Sequence, residues 1–240
     1  MSTKTKEYEI RRGRTEIEVP HRGNVITFVY DKHGPGNYVN VAESITKADL
    51  DRPTMAETAS FIHPAFQSDE KEFAEIKELM KNNWLWAFTG SLYVPGKGVY
   101  VQDNPEIRNG MPFMEESQLV RKLDANDLSV RFVPFGFKIG VMTSMGLAKN
   151  PYVVALASEE GAEKLAQVAD KYRNKPYLWG KPYLWGFTSV DQPLTRVSAL
   201  DSSWDLDDLR LGVDGSNHGD DWGGCAFGVR KTGEASRAEK

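Results

Sequence analysis

Residues Leu200–Lys231 read LDSSWDLDDLRLGVDGSNHGDDWGGCAFGVRK, an alphabet unlike that of the rest of the chain. The stretch holds seven Asp but no Glu, Gln or Met, and its only Lys is the last letter. From Pro193 to Arg230 there is no Lys, Glu, Gln or Met, although the chain uses Glu and Lys freely elsewhere. Two pieces alternate with the period of a half-buried strand. In LRLGV, Leu209, Leu211 and Val213 point one way and Arg210 and Gly212 the other. In CAFGV, Cys225, Phe227 and Val229 share a side. DGSNHGDDWGG between them is turn chemistry. The expectation is a short sheet with a fixed apolar face, and with polar residues exposed on its other face and in the loop.

The missing letters have a genetic reading. An Asn codon in which only adenines change, and whose third-position pyrimidine stays, reaches Asn, Asp, Ser, Gly, His, Arg, Cys, Leu and Val. It cannot reach Lys, Glu, Gln, Met or Trp. The Trp codon contains no adenine and cannot change. Trp204 and Trp222 therefore stand as fixed letters among residues reachable from Asn codons.

On these residues the C-terminus resembles the variable proteins of diversity-generating retroelements, of the archaeal and viral type. The matching framework is Leu200, Trp204, Leu211, Val213, Trp222 and AFGVR at Ala226–Arg230. Upstream, GFKIG and PYVVALASEEGAEKLA are also similar to that group. The resemblance implies an α+β domain of C-type lectin type, a fold shared with formylglycine-generating-enzyme-like domains. It also implies a ligand-binding, receptor or adhesin role without catalysis. The varied positions would then be Ser202, Ser203, Asp205, Asp207, Asp208, Arg210, Asp214, Ser216, Asn217, His218, Asp220 and Asp221. Trp204, Leu211, Val213, Trp222, Phe227 and Val229 would be the buried framework. Seven Asp against one Arg between Asp201 and Cys225 favour a protein or surface receptor of basic character. Two other readings stand beside this one: a fixed-specificity lectin-like module, and a structural particle protein with no ligand.

Other chemistries fit the stretch less well. Turn composition alone accounts for the excess of Asp but not for the absence of Lys. DLDDLRLGVDGSN offers oxygen ligands for calcium, yet Leu209 occupies a ligand slot of the helix–loop–helix pattern and no distal Glu follows. Cys225 with His218 as base would be a nucleophile, but acidic neighbours raise a thiol pKa. His21, His33 and His63 show no metal spacing, and PGKG lacks the spacing of a phosphate loop. No metal and no cofactor are expected.

The whole chain has 240 residues, 40% hydrophobic and 27% charged, with a net charge of -4. That is globular composition without a nucleic-acid footprint. The single cysteine, Cys225, excludes an intramolecular disulfide and a cysteine zinc site. The N-terminus MSTKTKEYEIRRGRTEIEV has no apolar signal region and no apolar run spans a bilayer. The expectation is a product made in the cytoplasm, which can act outside the cell after lysis or within a virion.

Periodicity predicts a strand at NVITFVYD, then a turn at HGPGN, and a helix over Arg52–Ile62 with Pro53 in its first turn. A helix capped by Ser68 should bury Phe73, Ile76, Leu79 and Met80. A hairpin should turn at Pro95–Gly98, and MEESQLVRKL should be helical. SVRFVPFGFKIGVMT reads as two strands, with Val130, Phe132 and Pro134 on one side. PYVVALA reads as a strand leading into a helix capped by Ser158 and buried through Leu165, Val168 and Ala169. KPYLWG occurs twice, at Lys175–Gly180 and Lys181–Gly186. It reads as a loop duplication, or as an aromatic platform of Tyr177, Trp179, Tyr183 and Trp185. The domain plan is an arm over residues 1–16, one domain over 17–231 with its variable region at about 195–230, and a disordered tail over 232–240.

Overall fold

A computed structural model describes residues 9–10, 16–171, 181–203 and 210–230. In chain order the elements begin with strands β1 (Glu9–Ile10), β2 (Glu16–His21) and β3 (Asn24–Gly36). Helices α1 (Tyr38–Lys47), α2 (Met55–Gln67) and α3 (Lys71–Asn82) follow. Next come β4 (Trp84–Val94), β5 (Gly98–Asp103), β6 (Glu106–Arg108), β7 (Met111–Phe113), α4 (Glu116–Asp124), β8 (Val130–Pro134) and β9 (Gly140–Val141). Helices α5 (Ser144–Ala148) and α6 (Pro151–Asp170) lead into β10 (Tyr183–Trp185), β11 (Leu194–Ser203), β12 (Arg210–Asn217) and β13 (Gly224–Val229).

One sheet carries the order β1-β2-β3-β13-β4-β11-β12-β10-β9, with β5 and β8 branching from β4. The branch follows from the length of β4. Its first residues pair with β13 in parallel, at Gly224↔Trp84 and Cys225↔Leu85, and its last six pair with β5 through the Val94↔Gly98 hairpin. β13, the last strand among the described residues, thus sits between β3 and β4, inside the sheet. A strand so placed is covered on both faces, and every residue of β13 is buried. Leu85, Leu200, Leu211, Val213, Cys225, Phe227 and Val229 face the main core with α2, α3 and α6. Trp86, Phe88, Val197, Ala199 and Ala226 face a second core beneath α1, with Tyr38 and Val41.

The helical stripe Phe73, Ile76, Leu79 and Met80 is buried as its periodicity predicts. So are Leu165, Val168 and Ala169. Several local expectations are corrected. HGPGN is no turn: β3 runs through it, because Gly224 and Ala226 pair with Gly36 and His33. Pro53 lies outside α2, whose cap is Thr54 in a reciprocal box with Glu57. Ser68 ends α2, and Glu70 opens α3. In β8, Val130 and Val133 are buried while Phe132 is 39% exposed, so the expected alternation fails. PYVVALA is helix, not strand. Asn150 Oδ1 accepts from the Tyr152 and Val153 amides, with Pro151 in the first turn. Ser158 interrupts α6 at φ 66° and reopens it, its Oγ accepting from Gly161 N at 3.3 Å.

Candidate binding face

β12 is longer than its sequence suggests. DGSN has turn composition, yet the strand continues to Asn217. Three buried hydroxyls hold it there. Tyr93 Oη and Tyr152 Oη lie 3.0 and 2.9 Å from the Gly215 carbonyl oxygen. They lie 2.7 Å from each other, and Ser91 Oγ lies 2.8 Å from Tyr152 Oη. Tyr93 and Tyr152 both aim their hydroxyls at the Gly215 carbonyl oxygen, and their contact with each other and with Ser91 ties the three hydroxyls into one hub. A Cβ on Gly215 would fall on the Tyr152 hydroxyl. Gly212 makes room in the same way for the carboxylate of Asp201, its partner across β11.

The end of β12 and the residues just after it are pinned again. Asp214 Oδ1 accepts from Ser216 N at 2.7 Å and from its Oγ at 2.9 Å, and Asp214 Oδ2 accepts from Asn217 Nδ2 at 3.2 Å. Asn217 Oδ1 accepts from Gly219 N at 2.8 Å. Gly219 O accepts from Tyr38 N at 2.9 Å, satisfying a free amide at the start of α1. Gly219 has φ +82° and lies close against Tyr38 and Val197, which suits glycine. At the far end Asn83 Nδ2 donates to Gly223 O at 2.8 Å. Between the two pins His218, Asp220, Asp221 and Trp222 are all exposed.

These constraints sort the expected variable positions. Arg210 and Ser216 are partly exposed, and His218, Asp220 and Asp221 are exposed. Ser202, Asp214 and Asn217 are buried, at 0%, 6% and 8% exposure, so their expected place on an exposed face is corrected. Asp214 and Asn217 are spent on the turn, and burial pushes the Asp214 carboxyl up. Ser203 ends β11. Asp205, Asp207, Asp208 and Trp204 lie outside the described residues. Among the framework residues Leu211, Val213, Phe227 and Val229 are buried, but Trp222 is 69% exposed and belongs to the surface. Asp201 is buried as well, so the acidity of the stretch is only partly a surface property.

The second KPYLWG copy adds to the same face. β10 pairs in parallel with β12, Tyr183 opposite Gly212 and Trp185 opposite Asp214. Leu184 turns into the main core, so Tyr183 and Trp185 turn away from it. Their rings lie 4.1 Å apart, Trp185 is 40% exposed, and the Arg210 guanidinium sits 4.8 Å above Tyr183. The repeat, read chiefly as a loop duplication, held this signal in its Tyr-x-Trp spacing. Tyr177 and Trp179 of the first copy lie outside the described residues.

Cys225 is 1% exposed and burial raises its thiol, which works against a nucleophile through desolvation. No three His, Cys, Asp or Glu side chains among the described residues group as metal ligands. No helix among them is long and apolar enough to cross a membrane.

No family model matches this sequence, and no curated protein matches it. A solved structure does. A chain from work on the accommodation of massive sequence variation in Nanoarchaeota by the C-type lectin fold superposes with a TM-score of 0.53. It is 18% identical, over 83% of this chain and 97% of that chain. The likeness shows the fold, and this chain has a C-type lectin fold.

Proposed function

We propose that this protein is a non-enzymatic binding module whose C-terminal face is diversified by adenine-directed mutagenesis and takes a protein or surface receptor of basic character. One observation carries the reading. The His218–Gly223 segment is held through its own carbonyls, Gly219 O by the Tyr38 amide and Gly223 O by the Asn83 side chain, while His218, Asp220, Asp221 and Trp222 are exposed. Such positions accept many side chains without loss of the fold, because exposed substitutions change stability by only about 0.5 kcal/mol. Accommodation of sequence variation by the matched Nanoarchaeota chain supports the same reading. Trp222 has a special place in it. Its codon has no adenine, so it stays constant while its neighbours change. A large exposed aromatic is a common anchor of recognition surfaces. Beside Asp220 and Asp221 it suits a Lys or Arg side chain through charge and cation–π attraction.

The test is to sequence the gene with its flanking kilobases. The expected result is a near-identical second copy of the segment encoding Thr195–Arg230, beside a reverse transcriptase reading frame. Differences between the copies should fall at template adenines and in the codons of Ser216, His218, Asp220 and Asp221. Without such a copy the diversification reading falls, and a fixed-specificity lectin-like module using the same face replaces it.

A further inference from the structure

Arg196 of β11 lies at the base of this face, and no carboxylate among the described residues reaches its guanidinium at hydrogen-bond distance. The residue is 9% exposed. Nη1 donates to the neighbouring Thr195 carbonyl at 2.8 Å. Phe187 lies 5.7 Å beneath the guanidinium. Nη2 has only the imidazole Nε2 of His218, at a long 3.4 Å, and Nε is buried without an acceptor. Nε and Nη2 form the side edge of a guanidinium, the edge that holds two carboxylate oxygens at once. The protein uses that edge elsewhere. Arg108 gives Nε and Nη2 to the two carboxylate oxygens of Glu106 at 2.7 and 2.6 Å, and Arg230 gives both to the one oxygen Oε1 of Glu16 at 3.0 and 2.7 Å.

The nearby carboxylates do not fill this role for Arg196. Asp214 is turned into its own turn by three hydrogen bonds. Asp220 is exposed and acts on Arg196 only at longer range. Ser203 and Arg210 pair at the end of the β11–β12 ladder opposite to Arg196. A buried guanidinium with its bidentate edge unpaired is costly to keep.

We propose that the Nε/Nη2 edge of Arg196 is a subsite for a carboxylate carried by the partner, and that His218 covers it when the face is empty. A carboxylate displaces the exposed imidazole and takes two charge-assisted hydrogen bonds in a site already shielded from water. The subsite rests on Arg196 itself, and on the binding-face reading only for the identity of what brings the carboxylate. It makes residue 218 a selector. Asp at that position, one of the residues reachable from an Asn codon, would pair with Arg196 and close the subsite. Gly or Ser would leave it open.

The test uses the full chain, labelled with nitrogen-15, and follows the Arg196 Nε–Hε resonance, assigned by its disappearance in Arg196→Lys. Acetyl-aspartyl amide supplies a side-chain carboxylate and acetyl-glycine a chain-terminal one, with acetyl-asparaginyl amide as the neutral control. The expected result is a saturable shift with at least one carboxylate probe and none with the control at matched ionic strength. The tighter probe names the source. His218→Asp should abolish the response in a folded protein, and His218→Gly should keep it. No saturable shift with either carboxylate, a shift with inorganic phosphate alone, or an undiminished response in His218→Asp would overturn the proposal. None of these outcomes depends on whether a template copy of the gene exists, so the two readings fail separately. Should Arg196→Lys not fold, the His218→Asp comparison still decides.

Discussion

At the scale of single residues the C-terminal segment separates two kinds of side chain that look alike in sequence. Asp214 and Asp220 are the same letter six positions apart. The first is 6% exposed and closes a turn, while the second projects into solvent. Gly215 and Gly223 are also the same letter, but only Gly215 meets an atom where its Cβ would stand. Gly215→Ala must therefore displace Tyr152 and break the hydroxyl hub. We expect a loss of about 1–3 kcal/mol, the range of an overpacked core, read from the urea midpoint at unchanged slope. Trp222→Ala should behave in the opposite way. At 69% exposure the ring contributes little to the fold, so stability should stay within about 0.5 kcal/mol. Affinity for a partner captured on this face should fall by about 2 kcal/mol or more if Trp222 is its anchor. A large stability loss instead would return Trp222 to the framework that its fixed codon first suggested.

At the scale of elements the binding loop borrows its order from helices far away in sequence. Asn83 follows α3 and reaches across to Gly223 O, and the first amide of α1 holds Gly219 O. Asn83→Ala should cost about 1 kcal/mol, the usual worth of one hydrogen bond. It should also raise amide exchange across residues 220–223 while leaving β12 and β13 protected, which hydrogen-exchange mass spectrometry would resolve. These pins leave no mark in sequence, since an Asn after a helix and a glycine carbonyl are ordinary letters. Periodicity reports the stripe Phe73–Met80 and the inward side of Leu211 and Val213, each a case of one face meeting one core. It misses the second core: CAFGV, expected to be half-buried, is covered on both faces, with Cys225, Phe227 and Val229 on one core and Ala226 on the other. PYVVALA misleads because seven apolar letters show no period. The usable signal was Asn150–Pro151, a cap followed by proline at the first helical position. DGSN misleads because pairing with β11 and the three hydroxyls override its turn propensity. That override comes from tertiary contacts.

At the scale of the whole molecule the response to acid follows from how the N-terminal strands dock on the helices. Lys164 of α6 donates to Pro20 O and to Ser60 Oγ, each at 2.9 Å. Ser60 Oγ of α2 also lies 3.0 Å from His21 Nδ1. Burial, then the charges of Arg22 and Lys164, lower the His21 pKa to about 4, and burial lowers His33 as well. A histidine lowered in the folded state contributes stability above its ordinary value of 6.5. Below that value the unfolded chain takes a proton that the folded chain refuses, and the contribution is lost as pH falls toward about 4. Glu57 and Asp214 act in the other direction. Burial raises both, so the folded chain takes their protons first and gains a little as pH falls through the raised values. The unfolded chain's histidine takes its proton from about pH 6.5 downward while folded His21 does not, so the histidine contribution should be lost between about pH 6.5 and 4. The slope for His21 alone is bounded by about 1.4 kcal/mol per pH unit. Urea midpoints at pH 7, 6 and 5 measure the loss, and His21→Gln, which keeps a hydrogen-bonding side chain without titrating, should flatten part of it. An unchanged pH profile in that variant would place the acid sensitivity elsewhere and leave the β2–α2–α6 junction indifferent to protonation.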